Sequence, residues 1–276
     1  MALKAGVVGL GIIGGGVASC LAREAMLEGV YDVRPDASDG LEGVPAVLGS
    51  PKELAARCDV VFIAVVSAAQ AKDVITGPTG LLSGKTKGLT IGLLSTVSLT
   101  DLRELRQIVI DSGAKFIDSG VTGGTRSAER GLVSLVGAEP GDLEAVLPAY
   151  EAFSIQVAHM GGPGTGMAAK IARNVMVYGV WQAGYEGAKL AAAAGIDVRK
   201  LADAIEMSAA AVGGPTAWYR RPSPQSDPVE AQFREQINAL LDKDLAAALE
   251  LAEDLGVDLP AATLARANSR MIMDME

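Results

Sequence analysis

Two polar side chains interrupt a long apolar segment that follows a glycine-rich turn. The turn reads GPGTG over residues 162–166, and Lys170 and Asn174 follow it four residues apart. Residues with this spacing project from the same face of a helix, so the pattern places an ammonium group beside an amide. An ammonium group whose pKa is lowered by burial can transfer a proton, and an amide can orient a polar ligand. The alternative is an ordinary helix lysine whose aliphatic stem covers apolar neighbours.

A dinucleotide-binding pattern stands near the start of the chain. GLGIIG places Gly9, Gly11 and Gly14 in the spacing G-x-G-x-x-G, directly after an apolar run of strand type and at the start of a helical stretch. The first glycine permits a tight turn, the second lets the backbone approach a pyrophosphate, and the third allows close helix packing. The helix N-terminus adds a positive field, so we predict a dinucleotide site that includes Ile12 and Ile13. A glycine-rich turn without a ligand is the less favoured alternative.

Asp32 follows Gly14 by eighteen residues and ends a second predicted strand. Its carboxylate is placed to accept hydrogen bonds from the ribose of an adenosine, and it would repel a 2′-phosphate. This predicts NAD as the cofactor. Arg34 stands two residues further on and could attract a 2′-phosphate, so NADP stays open.

A second glycine-rich turn lies between two apolar runs of strand type within residues 116–138. It offers the Thr122 hydroxyl and the backbone N–H groups of Gly123 and Gly124. Successive N–H groups in a turn can hold a carboxylate. Taken alone, this segment is also explained by a plain hairpin-like turn.

The elements that must position these residues alternate between strands and helices in the first part of the chain. Apolar runs at 5–10, 59–66 and 89–94 are typical of buried strands. A helix is predicted from Pro51, with Ser50 as its cap and Glu53 completing a capping box. A further helix follows residue 94, with Ser98 or Thr100 as its cap.

From Thr165 onward the strand-like runs give way to alanine-rich helical segments at 165–194, 198–211 and 229–256. The polar, proline-rich residues 213–228 are predicted to form a loop. We therefore predict an α/β fold with a Rossmann-type doubly wound parallel sheet, followed by an all-α C-terminal domain. The predicted domains are 1–163 for the dinucleotide and 164–276 for substrate and dimerisation, and a long interdomain helix opens the second.

Composition narrows the class of protein. The chain has 276 residues, of which 49% are hydrophobic, and a net charge of −9, which argues against nucleic acid or an anionic membrane as a partner. Cys20, Cys58 and the single His159 make no metal pattern, so no metal is expected, and His159 is interpreted as structural. No apolar run has membrane-spanning length and no signal peptide is recognised. We expect a cytoplasmic protein.

Four segments together resemble, in order, the motifs of the β-hydroxyacid dehydrogenase family. GLGIIGGGVA is similar to its dinucleotide loop, DSGVTGG to its substrate motif D-x-P-V-S-G-G, GPGTGMAAKIARN to its catalytic segment, and DKDLAAALELA to its K-D-L segment. The resemblance covers about residues 5–260. Members include 3-hydroxyisobutyrate dehydrogenase, tartronate semialdehyde reductase and 6-phosphogluconate dehydrogenase.

The resemblance implies an NAD(P)-dependent oxidoreductase that interconverts a small β-hydroxy acid and its semialdehyde or keto form. Lys170 falls on the catalytic lysine, which acts as acid and base, and Asn174 on the asparagine that orders the substrate. The other implied roles are substrate binding for Thr122, Gly123 and Gly124, cofactor binding for Val65, Val66 and Thr96, and a place near the nicotinamide for Lys243.

Several positions depart from the family motifs. Gly120 stands where the substrate motif usually has proline, Thr122 replaces serine, and Arg173 replaces the first of two asparagines. Val177 stands where 6-phosphogluconate dehydrogenases carry the glutamate that protonates an enol after carbon dioxide leaves. Because valine cannot transfer a proton, we predict a reaction without assisted decarboxylation.

Three further features of the sequence suggest roles for the second domain. Asp244 falls on an apolar stripe of the last long predicted helix, where a buried carboxylate needs a partner. We predict that it binds substrate, and a buried ion pair is the alternative. Arg220 and Arg221 could close on a small anionic substrate or be solvated. The uniform alanine-rich segment 165–212 predicts a homo-oligomer, either a dimer or a tetramer.

Two rival functions remain at this point. An imine reductase shares the architecture but lacks the catalytic lysine, so Lys170 argues against it. A catalytically inactive nucleotide-binding protein is the rival from another class, and the presence of both Lys170 and Asn174 argues against that.

Overall fold

The computed structural model describes residues 3–84, 86–212 and 221–275. The chain divides into two compact units, Met1–Arg173 and Asn174–Glu276. The division falls inside the helix that begins at Thr165, and the predicted boundary at 163–164 precedes that helix.

The first unit is built on a seven-stranded sheet in the order β2-β1-β3-β4-β5-β6-β7. All neighbouring strands are parallel except the pair β5 and β6. The predicted Rossmann-type fold is thereby confirmed. The strands are β1 (Ala5–Val8), β2 (Leu27–Tyr31), β3 (Val60–Ile63), β4 (Thr90–Leu93), β5 (Lys115–Thr122), β6 (Leu132–Gly137) and β7 (Ser154–Gly161).

The register of the central strands aligns their carboxyl ends at one edge of the sheet. Val8 of β1 pairs with Ile63 of β3, Ile63 with Leu93 of β4, and Leu93 with Asp118 of β5. The loops after β1, β3 and β4 therefore leave the sheet side by side. Ligands of such sheets bind in the crevice outside the carboxyl ends of the strands, which locates the dinucleotide site.

Helices cover the sheet of the first unit. They are α1 (Ile12–Arg23), α2 (Pro51–Arg57), α3 (Ala68–Thr76), α4 (Leu99–Asp111), α5 (Pro140–Phe153) and the start of α6 (Thr165–Ala193). Ser98, and not Thr100, caps α4, because its hydroxyl accepts a hydrogen bond from the backbone of Asp101. The capping box predicted for α2 is wrong. The Ser50 hydroxyl bonds the Glu53 carboxylate at 3.3 Å, and no side-chain cap is made to the backbone.

Apolar side chains fill both faces of the sheet, which explains why the strands are continuous apolar runs. On one face, Phe62 meets Tyr150 and Phe153 edge to face, with ring centroids 5.0 and 5.1 Å apart. The Tyr150 hydroxyl, which is fully buried, shares a hydrogen bond of 2.5 Å with the Ser119 hydroxyl. This bond ties α5 to the middle of β5, the strand that carries the substrate motif.

The second unit is helical, as predicted. It contains the rest of α6, followed by α7 (Val198–Val212), α8 (Pro228–Leu255), α9 (Pro260–Ala267) and α10 (Ser269–Ile272). Part of the predicted loop 213–228, with Arg220, lies outside the described residues. No helix in the described part of the chain is both long and apolar enough to cross a membrane.

Two buried carboxylates hold the second unit together. Glu186 of α6 accepts hydrogen bonds from the backbone N–H groups of Ala261 and Ala262 at the start of α9. Glu230 of α8 binds Arg234 at 2.9 Å and Arg221 at 2.8 Å. The hydrogen bond from Arg221 lowers the pKa of Glu230 to about 2 although burial opposes this. Arg221 is therefore engaged in an ion pair within the second unit.

Candidate active site

The dinucleotide loop turns directly out of β1 into α1. Gly9 has a φ of 86° and its N–H donates to the Tyr31 carbonyl at 2.8 Å. A Cβ on Gly14 would overlap the Gly9 carbonyl oxygen, so only glycine lets α1 begin this close to the strand. The loop thus presents the N-terminus of α1, with Gly11 as its cap, at the sheet edge. Such an end is suited to a pyrophosphate.

A cavity of about 570 Å³ lies beside this loop. Five of the predicted cofactor residues line it, namely Gly9, Gly11, Asp32, Val65 and Val66. Ile12, Ile13, Gly14 and Thr96 do not line it. Ile12 and Thr96 are exposed, and Gly14 is buried under the turn. The cavity fits the adenosine end of a dinucleotide, since Asp32 stands in it beside the glycine turn.

The Asp32 carboxylate is held in place by the backbone. It accepts hydrogen bonds from the N–H of Leu10 at 2.7 Å and from the N–H of Arg34 at 2.9 Å. Burial on its own would raise the pKa of Asp32, but these hydrogen bonds and the Arg34 guanidinium outweigh it, so the pKa is lowered. Asp32 is therefore a fixed anion. The Arg34 guanidinium pairs with it at 3.3 Å.

Sequence reasoning missed the contribution of α3 to this cavity. Ala69, Gln70 and Asp73 line it, and Gln70 accepts a hydrogen bond from the Val66 N–H at 2.9 Å. A signal was present in the sequence, because Ser67 directly follows the predicted strand 59–66 and caps α3. A helix predicted there would have placed its first turn at the sheet edge.

The second glycine-rich turn, which is the predicted substrate turn, packs on helix α1. Thr122 ends β5, Gly123 has a φ of 90°, and Gly124 begins a short 3₁₀ segment that runs to Glu129. In that segment the buried Ser127 hydroxyl donates to the Ile12 carbonyl at 2.6 Å. The structure thus brings together the two glycine-rich turns. The sequence carried no signal for Ser127, because its partner lies 115 residues away.

A buried carboxylate on β5 caps the helix that carries Lys170. Asp118, only 1% exposed, accepts hydrogen bonds from the N–H groups of Gly164 at 2.6 Å and Met167 at 2.7 Å. Burial raises the pKa of Asp118, and these hydrogen bonds oppose that rise only in part. The first turn of α6 is thereby fixed to the strand that ends in the substrate turn.

Lys170 lies one turn beyond this cap and is half-buried. Burial lowers its pKa, and the positive charge of Arg173 lowers it further. Asn174 stands one turn further along α6 and begins the second unit. A lysine with a lowered pKa can accept and return a proton, which is the chemistry expected from its position in the sequence.

The two candidate residues on α8 are at the surface of the second unit. The side chains of Lys243 and Asp244 are 71% and 69% exposed and pair with each other at 3.2 Å. The predicted burial of Asp244 on an apolar stripe is wrong, because its turn of α8 faces outward and its partner is the adjacent lysine. The burial that suggested a substrate-binding role for Asp244 is thus absent.

Two further predictions concern His159 and metal binding. His159 lies on β7, where its Nε2 is 3.0 Å from the Ala138 carbonyl oxygen. Within the described residues, the His, Cys, Asp and Glu side chains form no group of three or more that could hold a metal ion.

Two family models together match almost the whole chain. Residues 4–162 match the NAD-binding domain of 6-phosphogluconate dehydrogenase. Residues 164–274 match the NAD-binding domain of NADP-dependent 3-hydroxyisobutyrate dehydrogenase.

Individual relatives agree with these matches. An uncharacterised oxidoreductase of Mycobacterium tuberculosis is 31% identical over 95% of this chain and 90% of its own length. The 2-hydroxy-3-oxopropionate reductase of Escherichia coli is 28% identical over 94% of this chain and 87% of its own length. The crystal structure of a putative oxidoreductase from Mycobacterium avium 104 is 31% identical, with a TM-score of 0.90 over 99% of both chains.

The role of Asp118 as the cap of α6 can be tested without a substrate. In Asp118→Asn, the amide NH₂ replaces one acceptor oxygen and faces a backbone N–H, which leaves a buried donor without its partner. We expect the free energy of unfolding to fall by about 1–3 kcal/mol, measured by urea denaturation at neutral pH. Glu104→Gln, which changes an exposed carboxylate paired with Lys72, is the matched control. Equal stability of the two variants would contradict the capping role.

Proposed function

Because the chain belongs to the β-hydroxyacid dehydrogenase family, we propose that it interconverts a small β-hydroxy acid and its semialdehyde or keto form with NAD as the preferred cofactor. The chain is an NAD(P)-dependent dehydrogenase that acts on a CH–OH group, since its named relatives are dehydrogenases and reductases of hydroxy and oxo acids and its first domain matches an NAD-binding model. The observation that carries the finer proposal is Lys170. It is half-buried, has a lowered pKa and stands one turn beyond a helix cap on the strand that leads to the substrate turn.

In the proposed reaction, Lys170 accepts the proton of the substrate hydroxyl. Bound NAD supplies the hydride acceptor for the same carbon. In the reverse direction, the Lys170 ammonium protonates the carbonyl oxygen. Its lowered pKa favours this exchange, because an acid–base group works best when its pKa lies near the working pH. Asn174 would hold the reacting oxygen or the carboxylate and so contribute geometry.

The substrate is proposed to be a small anion that does not undergo assisted decarboxylation. The Thr122 hydroxyl and the N–H groups of Gly123 and Gly124 would hold its carboxylate. The E. coli relative is named for a three-carbon oxo acid, which supports a substrate of this size. On α6, Val177 offers no proton for an enol, so carbon dioxide release should lag behind NADH formation.

The preference for NAD rests on the fixed charge of Asp32. Its carboxylate stands in the cavity, and Arg34, the group that could attract a 2′-phosphate, is paired with it. Asp73 adds a second carboxylate to the lining of the same cavity. A 2′-phosphate would therefore meet negative charge there. Lys243 keeps its proposed place near the nicotinamide.

We also propose that the protein is a homo-oligomer, a dimer or a tetramer. Large apolar side chains of α6 are exposed in the single chain, including Val175, Tyr178, Trp181 and Tyr185. Contiguous exposed apolar surface of this kind marks a protein–protein interface. Light scattering at micromolar concentration should give at least twice the monomer mass. A monomer mass would contradict the proposal.

The direct test of the function is a panel of small hydroxy acids and of the matching aldehydes and imines, read by NAD(P)H absorbance. With a substrate found, we expect Lys170→Ala to lose on the order of 10²–10⁴-fold in kcat with nearly unchanged affinity for NAD. The oxidation rate of the wild type should rise with pH through the lowered pKa of Lys170, because the neutral amine is the base.

Lys72→Ala is the control, since Lys72 makes an exposed ion pair with Glu104. A Lys170→Ala variant that keeps most of its activity would rule out Lys170 as the proton-transfer residue. Turnover of imines but not of hydroxy acids would favour the imine reductase alternative. Absence of any turnover across the panel would favour the inactive nucleotide-binding protein.

Cofactor choice has its own test. Asp32→Ala removes the fixed carboxylate and leaves Arg34 without this partner, so the ratio of kcat/KM for NAD to that for NADP should fall, or reverse in favour of NADP. Asp39→Ala, an exposed aspartate outside the cavity lining, should leave the ratio unchanged. A wild-type enzyme that uses NADP more efficiently than NAD would contradict the proposal.

A further inference from the structure

Gly120 lies on β5, two residues after Asp118, and faces the helix that carries Lys170. A Cβ on Gly120 would overlap the Cβ of Lys170, lie 2.8 Å from its Cγ and lie 3.2 Å from the Gly166 carbonyl oxygen. Carbon atoms attract each other at about 3.5–4.0 Å and repel strongly well inside that distance. The Cβ and Cγ of Lys170 therefore occupy the space that any side chain at position 120 would need.

The helix cannot easily move away from the strand. A Cβ on Gly166, one turn before Lys170, would lie 2.5 Å from the Gly137 nitrogen and 2.5 Å from the Leu135 oxygen. The first turn of α6 thus rests directly on the backbone of β6. The Asp118 carboxylate also binds Gly164 and Met167 on that turn. An added methyl group at position 120 would have to be accommodated by displacement of Lys170 itself.

We propose that Gly120 is a positioning residue for Lys170, a role that rests on the proposed function of that lysine. By lacking a side chain, Gly120 lets the Cβ of Lys170 rest against β5. The base of the long, flexible side chain is then fixed relative to the strand that ends in Thr122. Only the three methylene groups beyond the Cβ and the ammonium remain to be oriented.

The position distinguishes this chain from the motif it resembles. That motif usually carries proline at this place, and the proline ring contains a Cβ. A proline at position 120 could not coexist with Lys170 where it now lies, because the same overlap would arise. Lys170 therefore lies closer to β5 than a proline-containing strand would allow. Replacement of Gly120 by proline is therefore not a conservative substitution in this chain.

The kinetic test is Gly120→Ala, the smallest change that adds a Cβ. We expect kcat to fall about 10- to 100-fold, because displacement of a reacting group by about 1 Å has an effect of that order. The Kd for NAD should stay within about twofold, since Gly120 does not line the cofactor cavity. Gly141→Ala is the matched control, because a Cβ placed there meets no atom within 4 Å. This substitution should leave kcat unchanged. An unchanged kcat in Gly120→Ala would overturn the proposal.

A second test measures the overlap without any turnover. Thermal unfolding is compared for Gly120→Ala in three backgrounds, namely wild type, Lys170→Ala and Lys170→Gly. Alanine at position 170 keeps the overlapping Cβ, whereas glycine removes it. We expect Gly120→Ala to lower Tm in the first two backgrounds and to have a much smaller effect in Lys170→Gly. If Gly120→Ala does not yield folded protein, recovery of folding in the Gly120→Ala/Lys170→Gly pair supports the contact in the same way.

An equal loss of Tm in all three backgrounds would overturn the proposal, because the strain would then lie elsewhere. This outcome is distinct from failure of the proposed function. Suppose that Lys170→Ala retained activity while the effect of Gly120→Ala on Tm still depended on the residue at position 170. Gly120 would then still accommodate the side chain of Lys170. Lys170 would not be the acid–base group, however, and Gly120 would have no positioning role in catalysis.

Discussion

The structure of the candidate site depends on one buried carboxylate. Asp118 lies on β5 and accepts hydrogen bonds from the N–H groups of Gly164, just before α6, and Met167, in its first turn, which follow it by 46 and 49 residues. A negative charge at a helix N-terminus satisfies backbone donors and also interacts favourably with the helix dipole. This contact fixes the start of α6 to the strand that leads into the substrate turn. The orientation of Lys170 follows from it.

The same strand also connects the substrate turn to the cofactor loop. Past Thr122 the chain enters a short 3₁₀ segment, and Ser127 in that segment bonds the first residue of α1. The Cys20 thiol on α1 donates to the Ser127 carbonyl at 3.3 Å. The predicted substrate turn is therefore tied to α1, whose N-terminus lies at the expected dinucleotide site. Within the first unit, β5, α1 and the start of α6 thus set the positions of Lys170, the predicted substrate turn and the glycine-rich loop after β1.

Local patterns were sufficient to predict several of the elements, though not α3 or α5, because the physical causes of those elements are local. Buried parallel strands read as short apolar runs, and helices α6, α7 and α8 have ends within one residue of the predicted ones. The contacts that build the site are not local. The residues that bind Asp118 lie 46 and 49 positions later in the sequence, and no pattern around Asp118 predicts these partners. The resemblance to a family identified Lys170, Asn174 and the turn at Thr122, but not the residues that hold them.

Two failures of the sequence analysis have physical explanations. Periodicity placed Asp244 on a buried stripe, but a helix pattern cannot tell which turns of a long helix are covered, and this turn of α8 is exposed. The capping box at Ser50 failed because the hydroxyl and the Glu53 carboxylate bond each other directly, so the hydroxyl does not cap the backbone. Residue spacing alone shows neither which turns of a long helix are covered nor which of two possible partners a hydroxyl binds.

The central claim is the proposal that half-buried Lys170 is the base of the reaction and that burial and the charge of Arg173 lower its pKa. The most direct measurement is a ¹³C-NMR titration of protein labelled at the lysine Cε, with the Lys170 signal assigned by its loss in Lys170→Ala. The account predicts that Lys170 titrates below the usual pKa of a lysine side chain. It also predicts that its midpoint rises in Arg173→Gln, which removes the neighbouring charge. A Lys170 that titrates at the usual pKa of a lysine side chain and does not respond to Arg173→Gln would contradict the account.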